Sequence, residues 1–184
     1  LLLAVYIQFD KVLIAKIGNT AEAGYYAVAI TLTSIFNVLP MIICMSLAPL
    51  LAKLATETER FNIFTKLYSG LFWTAVMFSF LLFIFSEKII FFLYGSSYHA
   101  SIIVTQILAS SIIPVFISVA NDYLALNKKT SHITLIRTVF GLVISLILSI
   151  ALIPQYGAIG AAIAISIAHW LSNTVLYWLI MRES

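Results

Sequence analysis

The sequence predicts an all-α fold, a polytopic bundle of six transmembrane helices, and three observations predict it. Only 17 of the 184 residues are charged, ten Lys/Arg and seven Asp/Glu. That is 9%, against roughly 25% in a typical soluble domain. Hydrophobic residues make up 62%, and the mean hydropathy is +1.10. The charges are also segregated: the windows 23–52, 67–86, 89–121 and 138–181 hold no Asp, Glu, Lys or Arg. A helix crosses a bilayer with about 20 apolar residues, so every window is long enough to span. So few charges exclude a soluble enzyme, whose surface they would fail to cover. They also exclude a nucleic-acid module and a disordered tail. The net charge of +3 and pI near 9.0 read as loop charge set by membrane topology. The single cysteine, Cys44, makes neither an intrachain disulfide nor a multi-cysteine metal site.

The loop signals place the six spans in order. The first covers about residues 1–17 and is under way at Leu1, with no basic n-region before it; the chain reads as a piece that begins inside a span rather than at a signal peptide. Gly18-Asn19 ends it, and Glu22 lies in the short loop that follows. The second covers about 24–51, long enough to tilt or to extend past the bilayer. A polar stretch from Lys53 to Lys66 precedes the third, about 67–85. Residues 86–100, with an IIFFLY run too short to cross, read as an interfacial segment. The fourth covers about 101–126, the fifth 132–153 and the sixth 157–181. In the sixth, Gly157/Ala161 and Gly160/Ala164/Ala168 recur at i, i+4, small-residue spacings that let helices approach closely in lipid. Pro40 and Pro49 in the second span and Pro114 in the fourth each remove a backbone donor. They are candidate helix breaks or gates, or static packing kinks.

The basic residues set an orientation. With odd spans running outward, Lys53, Arg60, Lys66, Lys128, Lys129, Arg137 and Arg182 lie inside, and Lys16 and Lys88 outside. That bias follows the positive-inside rule and puts the C-terminus in the cytoplasm.

Ionisable groups within spans are costly and mark functional candidates. Asp10 sits about 10 Å below the outer end of the first span at 1.5 Å per residue. It is either a lumen-facing ion or proton site or the structural partner of another span. Its neighbour Lys11 is long enough to snorkel outward. Asp122, beside Asn121, is five residues before the Asn127-Lys128-Lys129 loop, either a pathway group or a wetted helix end. Arg137 is about 7.5 Å into the fifth span, placed either to snorkel inward or to draw an anion into a cavity. His169 is twelve residues from both ends of the sixth span, a pathway candidate or a neutral histidine bonded to a neighbouring helix. Cationic groups attract phosphate, and a carboxylate in the membrane exchanges a proton or binds Na⁺, so the set suits an amphiphilic anionic cargo. No HExxH, GxSxG, P-loop or Asp-rich motif occurs, and His99, His132 and His169 are isolated. The expectation is therefore a transporter with no catalytic residues, no metal and no cofactor, coupled if at all to Na⁺ or H⁺.

Several strings resemble one family. Asp10-Lys11-Val12-Leu13-Ile14-Ala15-Lys16-Ile17-Gly18 followed by Ala23-Gly24-Tyr25-Tyr26-Ala27 resembles the start of the C-terminal lobe of polysaccharide flippases. These are the O-antigen and capsule repeat-unit transporters of the MATE-like MOP superfamily. Pro49-Leu50-Leu51-Ala52-Lys53, Leu93-Tyr94-Gly95-Ser96-Ser97-Tyr98 and Leu152-Ile153-Pro154-Gln155-Tyr156-Gly157-Ala158-Ile159-Gly160-Ala161-Ala162 resemble further family segments in the right order. The resemblance implies two six-helix lobes, of which this chain is the second, with an N-terminal lobe of the same protein as partner. It implies alternating access that carries undecaprenyl-pyrophosphate-linked oligosaccharide from the cytoplasmic to the periplasmic leaflet of a bacterial or archaeal plasma membrane. Membrane lipids are the other expected partners, and nucleic acid is not one. Alternatives are a lipid II or multidrug exporter of the same superfamily, or a polytopic polysaccharide polymerase. The short outer loops argue against the last, which needs a large loop for its catalytic groups.

Overall fold

The computed structural model describes residues 11, 13–16, 19–53, 57–127 and 131–183. They form α1 (Thr20–Lys53), α2 (Glu57–Tyr94), a 3₁₀ turn (Ser96–Tyr98), α3 (Ser101–Ala109), α4 (Ile112–Asn127) and α5 (Ser131–Glu183). The fold is an all-α bundle. Most of the first expected span, Asp10 included, lies outside the described residues. Of its short helical remnant, Ile14 is fully buried against Tyr26, Ala29 and Val104.

Asn19 starts α1. Its Oδ1 accepts the Ala21 N–H at 3.3 Å, and its carbonyl accepts from Ala23 N at 3.2 Å, which satisfies donors that a helix start leaves free. The helix then continues through Pro40, which is buried, and Pro49 to Lys53 without a break.

In place of a polar loop, a span and an interfacial segment, α2 is one helix of 38 residues. Nothing in its sequence stops it. It contains no proline, and the Glu87-Lys88 pair is absorbed, with Lys88 Nζ lying 5.8 Å from the centre of the Phe85 ring. The IIFFLY run forms its last turns: Ile90 is buried against Val28, Leu32 and Ile102, whereas Phe92 is 88% exposed. Gly95 ends the helix at φ +80°, a conformation costly for any residue with a Cβ. Beyond it Tyr98 packs on Tyr25 and Tyr94, with ring centres 6.0 and 5.7 Å apart.

The fourth span is broken. α3 and α4 meet at a 41° bend across Ser110 and Ser111. A proline removes the bond to the carbonyl four residues back and crowds it; for Pro114 that carbonyl belongs to Ser110. Side chains of neighbouring helices bond backbone carbonyls around the break, as such breaks in lipid allow. Ser79 Oγ donates to the Ala109 carbonyl at 2.8 Å, Ser166 Oγ to Ile107 at 3.3 Å, and Asn173 Nδ2 to Pro114 at 3.1 Å.

α5 is folded in two. Gly157 has φ 53° and ψ −128°, and a Cβ on Gly160 would run into the Leu152 carbonyl. A Cβ on Gly141 would lie 3.2 Å from that of Ser172. In a straight helix those two residues would be about 46 Å apart, so the run is a hairpin with arms 131–156 and 158–183. Ala161, Ala162, Ala164 and Ala168 are fully buried, and that line of small side chains lets the second arm approach its neighbours. The exterior is apolar: Ile35, Trp73, Phe80, Leu135 and Ile147 all point outward. Buried positions include Ser101, Thr105, Ser145 and Ser149. An apolar surface over a core that holds hydroxyls belongs in lipid, and the chain is a membrane protein.

Candidate functional site

α4 carries the expected candidates on two faces. Pro114, Ile117 and Asn121, at i, i+3 and i+7, share one face of the helix, and Asp122 lies about 100° round from Asn121. Trp170, Asn173 and Thr174 share a face of the second α5 arm by the same spacing. Together with Tyr68 of α2, the two faces enclose an open cleft of about 280 Å³. Two aromatic rings, two amides and a hydroxyl therefore look into one space. Asn121 Nδ2 is 3.5 Å from the Tyr68 hydroxyl. Asn173 holds its own place by donating to Pro114 and, at 2.9 Å, to the His169 carbonyl. Its Oδ1 is buried and has no partner among the described residues.

Asp122 turns the other way, to the first α5 arm. Arg137 Nη2 donates to both of its carboxylate oxygens, at 2.9 and 2.8 Å, and Thr134 hydrogen-bonds the same carboxylate. The arginine side chain is 12% exposed and the aspartate 32%. Arg137 Nε is buried and has no partner among the described residues. Among the described residues the guanidinium therefore keeps an unused donor and meets one carboxylate. A phosphate, with several oxygens, would satisfy the guanidinium more fully than one carboxylate does.

The structure thus brings Asn121 and Pro114 into the cleft and joins Asp122 to Arg137 beside it. His169 is partly buried and supplies backbone to Asn173 and Ser172. Lys11 is partly buried in the helical remnant, and Pro40 and Pro49 lie inside α1 and do not line the cleft. Among the described residues no three of His, Cys, Asp and Glu gather as metal ligands.

Sequence reasoning missed Tyr68, Trp170, Thr134 and Thr174, and above all Glu22. Its Oε2 accepts the Ala158 N–H at 3.0 Å, bridging 136 residues of sequence. The carboxylate occupies the space a Cβ on Gly157 would need. One local signal was present: Asn19-x-x-Glu22 has the spacing of a capping box. Here the acid serves another helix.

Residues 1–103, more than half of the chain, match the family described as polysaccharide biosynthesis protein. The chain belongs to the polysaccharide biosynthesis protein family. No curated protein and no solved structure matches it. The matched segment of this family member takes in Glu22, Tyr68 and α2. Asp122, Arg137 and the rest of the cleft come after it.

Proposed function

We propose that this chain is one lobe of a MATE-like flippase that carries lipid-linked oligosaccharide, of the undecaprenyl-pyrophosphate kind, from the cytoplasmic to the periplasmic leaflet by alternating access. The observation that carries the reading is the Asp122–Arg137 pair beside the cleft. The cargo has a diphosphate next to its first sugar. Arg137, with its unused Nε, suits the phosphate. The rings of Tyr68 and Trp170, with the amides of Asn121 and Asn173, suit a sugar, whose apolar face stacks on aromatic rings while its hydroxyls take hydrogen bonds. Membership of a polysaccharide biosynthesis family agrees with such a cargo.

In this mechanism the cargo's phosphate displaces Asp122 from Arg137. The released carboxylate takes up H⁺ or Na⁺, which makes it the coupling group. The chain acts as a transporter rather than an enzyme and works with an N-terminal lobe of the same protein. The pair and the cleft lie at the cytoplasmic end, as does the C-terminus, in a bacterial or archaeal plasma membrane.

Restoration of surface polysaccharide in a flippase-null strain tests this in the intact protein. Arg137→Ala and Trp170→Ala are expected to lower restoration strongly while the protein still reaches the membrane. Wild-type restoration by both variants would refute the assignment.

A further inference from the structure

We infer that Glu22 is a releasable clasp that holds shut the end of the bundle opposite the Asp122–Arg137 pair. Glu22 lies in the first turn of α1, and its carboxylate accepts the Ala158 N–H at the start of the second α5 arm. One carboxylate therefore faces two helix N-termini, each carrying roughly half a positive charge. Gly157 makes the approach feasible. It has no side chain to occupy the space that the carboxylate fills, and its φ of +53° turns the Ala158 N–H toward α1.

The position gives the contact its meaning. Arg137 is on the first hairpin arm, 20 residues before Gly157, so the two polar contacts are about 30 Å apart along the bundle at 1.5 Å per residue. Both are made by the same hairpin, to α4 at one end and to α1 at the other. Between them it is held by apolar packing and uncharged hydrogen bonds such as Ser166 to Ile107. A hairpin held by charge, among the described residues, near its base and at its tip can rock by releasing one contact at a time. Glu22 at the tip is thus the counterpart of Asp122 near the base, and opening there frees the far side of the pathway. The gating role rests on the transport reading above; the clasp itself does not.

The test uses the full-length protein carrying Glu22→Ala or Glu22→Gln, reconstituted in lipid nanodiscs for hydrogen exchange and expressed in the flippase-null strain for export. Loss of a hydrogen bond to a charged acceptor is expected to speed exchange over 157–159 by about tenfold or more in Glu22→Ala. Glu22→Gln keeps an acceptor oxygen and is expected to fall between it and the wild type. Export is expected to drop in Glu22→Ala at normal membrane abundance, with Glu22→Gln partly active. Unchanged exchange at the hairpin tip would remove the clasp. Faster exchange with full export would remove its gating role. If Glu22→Ala fails to accumulate, Glu22→Gln decides: wild-type exchange and export together would overturn the inference. Failure of the unmodified protein to support export would instead refute the transport reading, and the exchange result would still decide the clasp.

Discussion

Removing one partner at a time from the Asp122–Arg137 pair should give unequal losses. Breaking a fully buried pair from one side costs about 3–5 kcal/mol, because the remaining charge loses its partner without regaining water. Asp122 is 32% exposed and Arg137 only 12%, so solvent moderates the two cases differently. In Arg137→Gln the carboxylate that remains is within reach of water and keeps Thr134 as a donor. Discounted for that screening, the loss is about 1–2 kcal/mol. In Asp122→Asn the guanidinium that remains is the more buried group, and its Nε already lacks a partner among the described residues; the expected loss is about 2–3 kcal/mol. The double variant removes both charges and should cost less than the two singles added, with a coupling of about 1–2 kcal/mol. Reversible unfolding of the purified protein in mixed micelles measures all four corners of the cycle. Additive losses, or a larger loss in Arg137→Gln than in Asp122→Asn, would refute the account of the pair as a partly screened buried contact.

Two further outcomes are expected. Gly157→Ala places a Cβ at φ +53° and on the Glu22 carboxylate; strain of about 1–3 kcal/mol and loss of the Glu22–Ala158 bond should together lower the midpoint of unfolding, and an unchanged midpoint would show that the turn relaxes freely. Cysteines introduced at Ser97 and Thr58 should label from outside the cell at Ser97 only, and the reverse pattern would invert the orientation.

The all-α membrane fold was legible because it follows from bulk physics: long continuous apolar windows satisfy their backbone in lipid as helices, whereas barrel strands are segments of about ten residues that alternate apolar and polar. Helix continuity was harder to read. The charges at Glu87 and Lys88 suggested a boundary, yet two polar side chains at a membrane edge do not break a backbone that has no Pro or Gly there. At the site, composition singled out Asp122 and Arg137 separately. Their pairing depended on how α4 is rotated against α5, and an apolar helix carries no periodic signal to fix that rotation. The bend between α3 and α4 turns the helix just before Pro114, so facing directions could not be carried through from α3. Glu22 was least legible of all. It looked like an ordinary loop acid because its partner is a backbone N–H, which any residue but proline supplies, 136 positions away.

The polar contacts of this bundle differ in what it costs to exchange them. The broken span is held at its centre by Ser79, Ser166 and Asn173 donating to backbone carbonyls. Such side-chain bonds inside a membrane average about 0.6 kcal/mol, so exchanging one for another is cheap and leaves no charge exposed to lipid. The Asp122–Arg137 contact is different in kind. It cannot open into hydrocarbon, because either bare charge would be too costly; it opens only when water or an anionic group takes the vacated place. The centre of the bundle is therefore adjustable, while the Asp122–Arg137 contact beside the cleft is conditional on what takes the vacated place. Under the proposed transport role, an anionic ligand that replaced Asp122 on Arg137 would bias the arrangement of the hairpin, because a ligand shifts an equilibrium only by favouring one of its states.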